Sequence, residues 1–310
     1  MTGTSPDFAI KRLALRLLGL AYELFKRTPL LHNSFAKRFY YRVYAWSRPR
    51  QLTEITVLGN RLWIDPQDQG VASFLLTRGC YEPYEASLVQ RLLRPGDCFV
   101  DVGANVGYYT VIAARAVGAA GRVFAFEPDP HNFLLLQRNV SVNNFDGRVT
   151  AVRCAIGAES GSCQLFLNED NLGDHRIVGG GDEFRGVIEV PLRTLDEAID
   201  LNIPLSLIKM DIQGAELLAL AGMQQLLKSN GDVIIFTEFW PAGIRRSGHE
   251  PEEFARFIGE QGFAAFVIDE PRRQLCRVSP AELERVGKAQ QQCNLLLVRG
   301  ARCRQIAELQ

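Results

Sequence analysis

The chain has 310 residues, 47% hydrophobic and 23% charged. That is enough apolar material for a sizeable core; it excludes global disorder and implies one large domain or a domain with an appendage. Lys plus Arg and Asp plus Glu balance at 35 each, so nothing points to nucleic acid as a partner. The balance hides an asymmetry: residues 1–50 carry ten Lys/Arg against Asp7 and Glu23, a local net of +8, and residues 51–310 sum to −8.

Seven cysteines, with no Cys-x-x-Cys pair, read as reduced small hydrophobes of a cytosolic protein. The histidines at 32, 131, 175 and 249 lack zinc spacing, so no metal ligand set is expected. Lys11, Arg12 and Arg16 interrupt the early apolar stretch and no small-residue cleavage site follows it, so no secretory leader is expected.

Residues 8–27 predict a basic amphipathic helix, with Leu13, Leu17, Leu20 and Leu24 at 4, 3 and 4 spacing. It is too interrupted to span a bilayer. Two readings stay open: packing on the main domain or a second copy, and peripheral contact with anionic lipid. Aromatics continue to Trp46, and Pro49 ends a helical extension covering residues 1–50. Residues 51–79 predict a β hairpin and linker, with Ile55–Leu58 and Arg61–Ile64 flanking a Gly59-Asn60 turn. Glu82 to Leu93 reads as a helix stopped by Arg94-Pro95-Gly96-Asp97.

Residues 98–117, CFVDVGANVGYYTVIAARAV, follow. They predict a buried strand, a glycine turn and a helix start, where glycines admit a ligand and N-terminal amides face an anion. Strand 122–127 ends in Glu127-Pro128, twenty residues past Gly107, and an acid there can accept hydrogen bonds from both hydroxyls of a ribose. A helix over 130–142 and a strand over Val149–Ile156 complete a βαβαβ order, which requires a parallel sheet with helical crossovers.

Strand-like segments Cys163–Leu167 and Val187–Leu192 enclose the nineteen-residue loop Asn168–Gly186, long enough to be a lid, with His175 at its centre. The strand Leu205–Met210 delivers Asp211 to the same sheet edge as Asp101 and Glu127, before a turn through Gln213 and Gly214 and a helix from Glu216 to Ser229. Glu216 also suits a helix start. Strand Val233–Thr237 leads to Glu238. In the loop Ala242–His249, Arg245 and Arg246 face either an anionic substrate or solvent. A helix over 252–261, a strand over 263–268, a helix near 281–289 and a final antiparallel strand over 294–298 give seven core strands.

The frame Asp101-x-Gly103-x-x-x-Gly107 lacks the Gly-x-Gly-x-x-Gly of a dinucleotide turn. It resembles motif I of class I S-adenosylmethionine-dependent methyltransferases. With Phe126-Glu127-Pro128, the Asn171-x-Gly173 pair, Lys209–Glu216 (KMDIQGAE) and Thr237-Glu238, the chain resembles the FkbM family over about residues 80–300. The resemblance implies a doubly wound, Rossmann-like, seven-stranded and mostly parallel sheet, preceded by the helical extension and followed by a tail at 301–310. It implies S-adenosyl-L-methionine held by Asp101, Gly103, Ala104, Asn105, Gly107, Tyr108, Glu127, Pro128, Cys154, Ala155 and Asp211. Asn171, Gly173, His175, Gln213, Glu216 and Glu238 are the expected acceptor-side residues.

The implied reaction is O-methylation of a sugar, glycan, polyketide or related hydroxyl by direct displacement, with His175 first and Asp211 second as proton acceptor. One departure is Gln213, where the family commonly carries a glutamate. Glutamine positions by hydrogen bonds and takes no proton. A donor-binding or membrane-docking methyltransferase-like protein without turnover and a nicotinamide-dependent oxidoreductase are the alternative readings.

Overall fold

The computed structural model of the chain describes residues 6–25, 28, 34–168, 171–179, 184 and 186–307. After two helices, Pro6–Phe25 and Ser34–Ser47, the hairpin is β1 (Thr53–Val57) and β2 (Asn60–Ile64). The turn sits at Leu58-Gly59, one residue earlier than the sequence suggests. Both residues have positive φ, 48° and 78°, giving a primed turn whose twist matches the strands. A helix Val71–Arg78 occupies the expected linker.

The remaining strands are β3 (Cys98–Val102), β4 (Arg122–Phe126), β5 (Val149–Val152), β6 (Ala155–Ile156), β7 (Gly161–Leu167), β8 (Gly186–Arg193), β9 (Leu207–Met210), β10 (Ile234–Phe239), β11 (Ala264–Asp269), β12 (Gln274–Val278) and β13 (Cys293–Val298). The central sheet runs β12-β11-β13-β10-β9-β3-β4-β5. Pairing is parallel from β5 through β4, β3 and β9 to β10, and antiparallel where β13 inserts between β10 and β11. β3, β9 and β10 are buried along their whole length, as a sheet covered on both faces requires. Helices Pro83–Leu92, Tyr108–Ala116 and Pro130–Val142 cover one face. Glu216–Ala221, Gln224–Ser229, Pro251–Glu260 and Pro280–Lys288 cover the other. The sheet is therefore doubly wound, and its chain order reverses between β3 and β9, where such sheets open a ligand crevice.

Four local expectations are corrected. β12 adds an eighth strand as the return of a hairpin with β11. The expected strand 149–156 breaks at Arg153-Cys154, because β6 leaves the main sheet and pairs with β8 in a separate β6-β8-β7 sheet. The helix after β9 is interrupted at Gly222-Met223. The loop after β10 contains a helix, Pro241–Arg246, started by a proline in its first turn.

The N-terminal helix packs inward through Leu15 and Leu18 against Tyr44. Tyr22 meets Phe74 edge-on at 5.6 Å. Leu13, Leu17, Leu20 and Leu24, the periodic row of the sequence, point to solvent instead.

Candidate active site

The crevice opens at the tips of β3, β4 and β9. Gly103, just past β3, has φ 81°, and a Cβ built there would lie 2.1 Å from the Asp211 carbonyl oxygen. Only glycine lets the two strand tips converge this closely. The amides of the turn all find partners within the protein. Gly103 and Ala104 donate to the Phe126 carbonyl, Asn105 to Glu127 Oε2, Val106 to Asn105 Oδ1 and Gly107 to the Ala104 carbonyl. The turn is thus no anion nest, contrary to the expectation of free amides, and offers nothing to a pyrophosphate. Asn105 takes φ 52°, a left-handed conformation that asparagine tolerates.

Several residues expected to touch the donor shape the turn instead. Asp101 receives the Thr110 hydroxyl at 2.5 Å and the Thr110 amide, capping the helix Tyr108–Ala116. Burial pushes its carboxyl up to about 6 against those hydrogen bonds. Gly107, at φ 87°, is the residue before that helix, and a Cβ there would meet Leu136 Cδ1 at 2.6 Å. Tyr108 donates its hydroxyl to the Tyr81 carbonyl at 2.8 Å, behind the cleft wall. Asp101, Ala104, Gly107 and Tyr108 lie outside the cleft lining; Gly103, Asn105, Glu127, Pro128, Cys154, Ala155 and Asp211 are in it.

Glu127 is fixed by two amides, Asn105 N–H at 2.7 Å and Asp129 N–H at 2.9 Å, one on each oxygen. Burial pushes its carboxyl up to about 8, opposed by those two hydrogen bonds. Each oxygen retains acceptor capacity toward the cleft.

The loop after β7 packs on this turn. The Leu172 amide donates to Asp68 Oδ1 at 3.0 Å, and its carbonyl accepts from Asn105 Nδ2 at 3.1 Å and Asn132 Nδ2 at 2.9 Å. Asn171 and Gly173, on either side, line the cleft. His175 also lines it: Nδ1 accepts the Asn168 amide at 3.1 Å, and Nε2 stands 3.9 Å from Asp129 Oδ2, beyond hydrogen-bond distance. Burial lowers its pKa, partly offset by Asp129. Residues 169, 170, 180–183 and 185 of the expected lid lie outside the described residues.

Across the cleft, the β9 tip carries a denser ionic group. The buried Lys209 ammonium is 3.6 Å from Glu85 Oε1, 3.4 Å from Asp211 Oδ2 and 4.4 Å from the Tyr109 ring centroid. Asn294 Nδ2 donates to Glu85 at 2.9 Å, and Tyr109 OH to Glu82 at 2.8 Å. Burial, then Glu85, pushes Glu82 up to about 8. For Lys209, burial works to lower the pKa, but Asp211, Glu85 and Glu82 prevail and hold it up. Gln213, at φ 53°, lines the cleft and donates Nε2 to Asp211 Oδ1 at 2.8 Å.

Glu216 and Glu238 do not line the cleft. Glu216 is fully buried, accepts the Ile212 and Gly214 amides and thereby closes the turn after β9; burial pushes it up to about 7. Glu238 accepts from Gln292 through Oε1, while its buried Oε2 finds no hydrogen-bond partner among the described residues. Burial, with Asp211 and Glu216 nearby, raises it well above the usual carboxylate range.

Sequence reasoning missed Asp68, Glu82 and Glu85. The available signal was the pair of acids at the start of the helix, Glu82-Pro-Tyr-Glu85; nothing local to Asp68 marks it.

The family profile described as the methyltransferase FkbM domain matches residues 101–264, just over half of the chain. The chain is 33% identical over 123 residues to 31-O-demethyl-FK506 methyltransferase FkbM of Streptomyces tacrolimicus, covering 38% of this chain and 44% of that protein. Hexuronic acid methyltransferase AglP of Haloferax volcanii is 26% identical over 167 residues, covering 53% and 62%. Methyltransferase sdnD of Sordaria araneosa is 25% identical over 179 residues, covering 47% and 68%. The chain spans between 44% and 68% of these relatives' lengths. A crystal structure of methyltransferase FkbM from Methylobacillus flagellatus is 20% identical, covers 73% of this chain and 52% of that one, and superposes with a TM-score of 0.42. The chain belongs to the FkbM methyltransferase family.

Proposed function

We propose that the protein transfers a methyl group from S-adenosylmethionine to a hydroxyl of a sugar, glycan, polyketide or related natural product. The observation that carries the donor assignment is Glu127 held by the Asn105 and Asp129 amides beside a turn whose own amides are spent internally. This edge suits a neutral diol and does not suit a pyrophosphate, which separates the reading from a nicotinamide enzyme. The acceptor class follows the names of the Streptomyces and Haloferax relatives.

When bound, the donor supplies an electrophilic sulfonium methyl. Glu127 would take the ribose hydroxyls, the Cys154-Ala155 segment would border the adenine, and Asp211 and Gln213 would face the reacting end. Asp211 Oδ atoms are the proposed proton acceptor for the substrate hydroxyl. Its side chain is about a third exposed and lines the cleft, whereas the His175 ring is 8% exposed and its Nδ1 already accepts the Asn168 amide. His175 is better suited to fastening the lid over the donor turn. Alignment supplies most of the rate.

Calorimetric titration with S-adenosylmethionine beside NAD tests the donor. Micromolar binding of the former with none of the latter is expected; the reverse overturns the proposal. Methyl incorporation into hydroxylated acceptors, lost in Asp211→Asn while donor binding persists, tests the chemistry.

A further inference from the structure

The N-terminal helix has two apolar faces, and the fold uses one. Leu15 and Leu18 are buried, whereas Leu13, Leu17, Leu20 and Leu24 are 55–74% exposed along one row. On the neighbouring helix Ser34–Ser47, Phe39 and Trp46 are also exposed and share a shallow groove with Arg38 and Arg42. Burying one helix face normally suffices for packing. A second large apolar row, kept in water, marks an interaction surface.

Charge selects the occupant. The row lies within the segment of net +8, on a chain whose remainder sums to −8. A second copy would bring like-charged faces together, which costs association energy. Bulky aliphatic and aromatic side chains set among Arg and Lys are the composition of an interfacial helix on anionic lipid. Among the described residues no helix is long and apolar enough to cross a membrane, so such a helix lies in the interface.

We propose that the helices Pro6–Phe25 and Ser34–Ser47 dock the protein on an anionic lipid bilayer. The Leu13–Leu24 row enters the acyl boundary and the arginines sit at the phosphates. The acidic remainder of the chain is repelled by the same surface, which fixes the orientation. Phe74 links the docked element to the cleft: it contacts Tyr22 of the helix and lines the donor site.

Co-sedimentation of the full chain with vesicles tests this without reference to turnover. The protein should partition onto equimolar phosphatidylcholine and phosphatidylglycerol, stay in solution with phosphatidylcholine alone, and be released by salt. Leu17→Glu with Leu20→Glu should lower partitioning about tenfold. Arg12→Glu with Arg16→Glu should lower it about fivefold or more per residue. Both pairs sit on the exposed face, so unchanged thermal midpoints should certify folding. Equal partitioning onto pure phosphatidylcholine, or none onto either vesicle, overturns the proposal. So does a concentration-dependent dimer in sedimentation velocity that Leu17→Glu with Leu20→Glu disperses.

Discussion

The two sides of the cleft handle buried carboxylates in opposite ways. On the β4 side, Glu127 stands in a frame of backbone amides, and Asp68 is likewise tied to main-chain donors. On the β9 side, Glu82, Glu85 and Asp211 face one another around a single ammonium, Lys209. Backbone amides cannot move or ionise, so the first side is a rigid mould suited to binding. Side-chain charges balance only as a group, so the second side depends on one cation.

That dependence is the largest effect to look for. Lys209→Met would leave Glu85 and Asp211 without a counter-charge in a buried site and should cost about 3–5 kcal/mol of folding stability by chemical denaturation. Glu85→Gln in the same chain should restore a large part of it, since the acid then needs no cation. A Lys209→Met protein as stable as the parent would show that the acids are balanced by protons and not by the ammonium.

The division into a binding side and a chemical side is sharpened by a pair of variants. Glu127→Ala should weaken S-adenosylmethionine binding by about 10²–10⁴-fold, because two charge-assisted hydrogen bonds of roughly 1.5–3 kcal/mol each are lost. Asp211→Asn should leave that affinity within a few-fold while lowering turnover by about 10²–10⁴ if it removes the base. Parallel losses in both parameters for both variants would erase the distinction.

The two sides should also respond together to pH. Burial raises Glu127 and Glu82 to about 8, Glu216 to about 7 and Asp101 to about 6. Acids whose folded pKa exceeds the unfolded value contribute stability that is complete below the unfolded pKa and lost as pH rises through the folded one. The ligand-free thermal midpoint should therefore fall by several degrees between about pH 5.5 and 8.5. Donor affinity should move the other way, rising toward pH 8 as Glu127 ionises and accepts the ribose hydroxyls, and Glu127→Gln should flatten that rise. A midpoint that climbs with pH would contradict the burial of these acids.

How much of this was legible in the sequence divides along the same line. Asp101, Gly103 and Glu127 sit at fixed offsets from strand ends, and the period of a parallel sheet carries such residues to one edge whatever the packing. The doubly wound sheet was legible for the same reason. The partners of those residues were not. Asp101 reads as a ligand contact until the Thr110 hydroxyl is seen to cap against it. Glu82 and Glu85 approach Lys209 across more than a hundred residues of chain, and no local pattern encodes that meeting. The break at Arg153-Cys154 was hidden because Cys154-Ala155-Ile156 continues an apolar run into a different sheet. The row Leu13–Leu24 was found by its period, but period alone does not say whether a face meets protein or solvent.

Gln213 offers the finest test, since it stands where the family commonly has a glutamate. Its amide donates to Asp211 Oδ1 at 2.8 Å, so it both orients that carboxylate and adds no charge to a site already holding Glu85, Glu82 and one ammonium. Gln213→Glu would put two carboxylates at that distance, and like charges that close hold a shared proton to higher pH than either acid alone. If Asp211 is the base, turnover near pH 7 should fall about tenfold and recover as pH rises and the shared proton leaves, an added limb that the parent profile lacks. Donor affinity should change little, because Glu127 on the opposite wall is untouched. The contrary result, higher turnover with no new limb, would place the family's proton acceptor at residue 213, leave Asp211 as an orienting group, and make the glutamine of this chain the reason for a slower reaction.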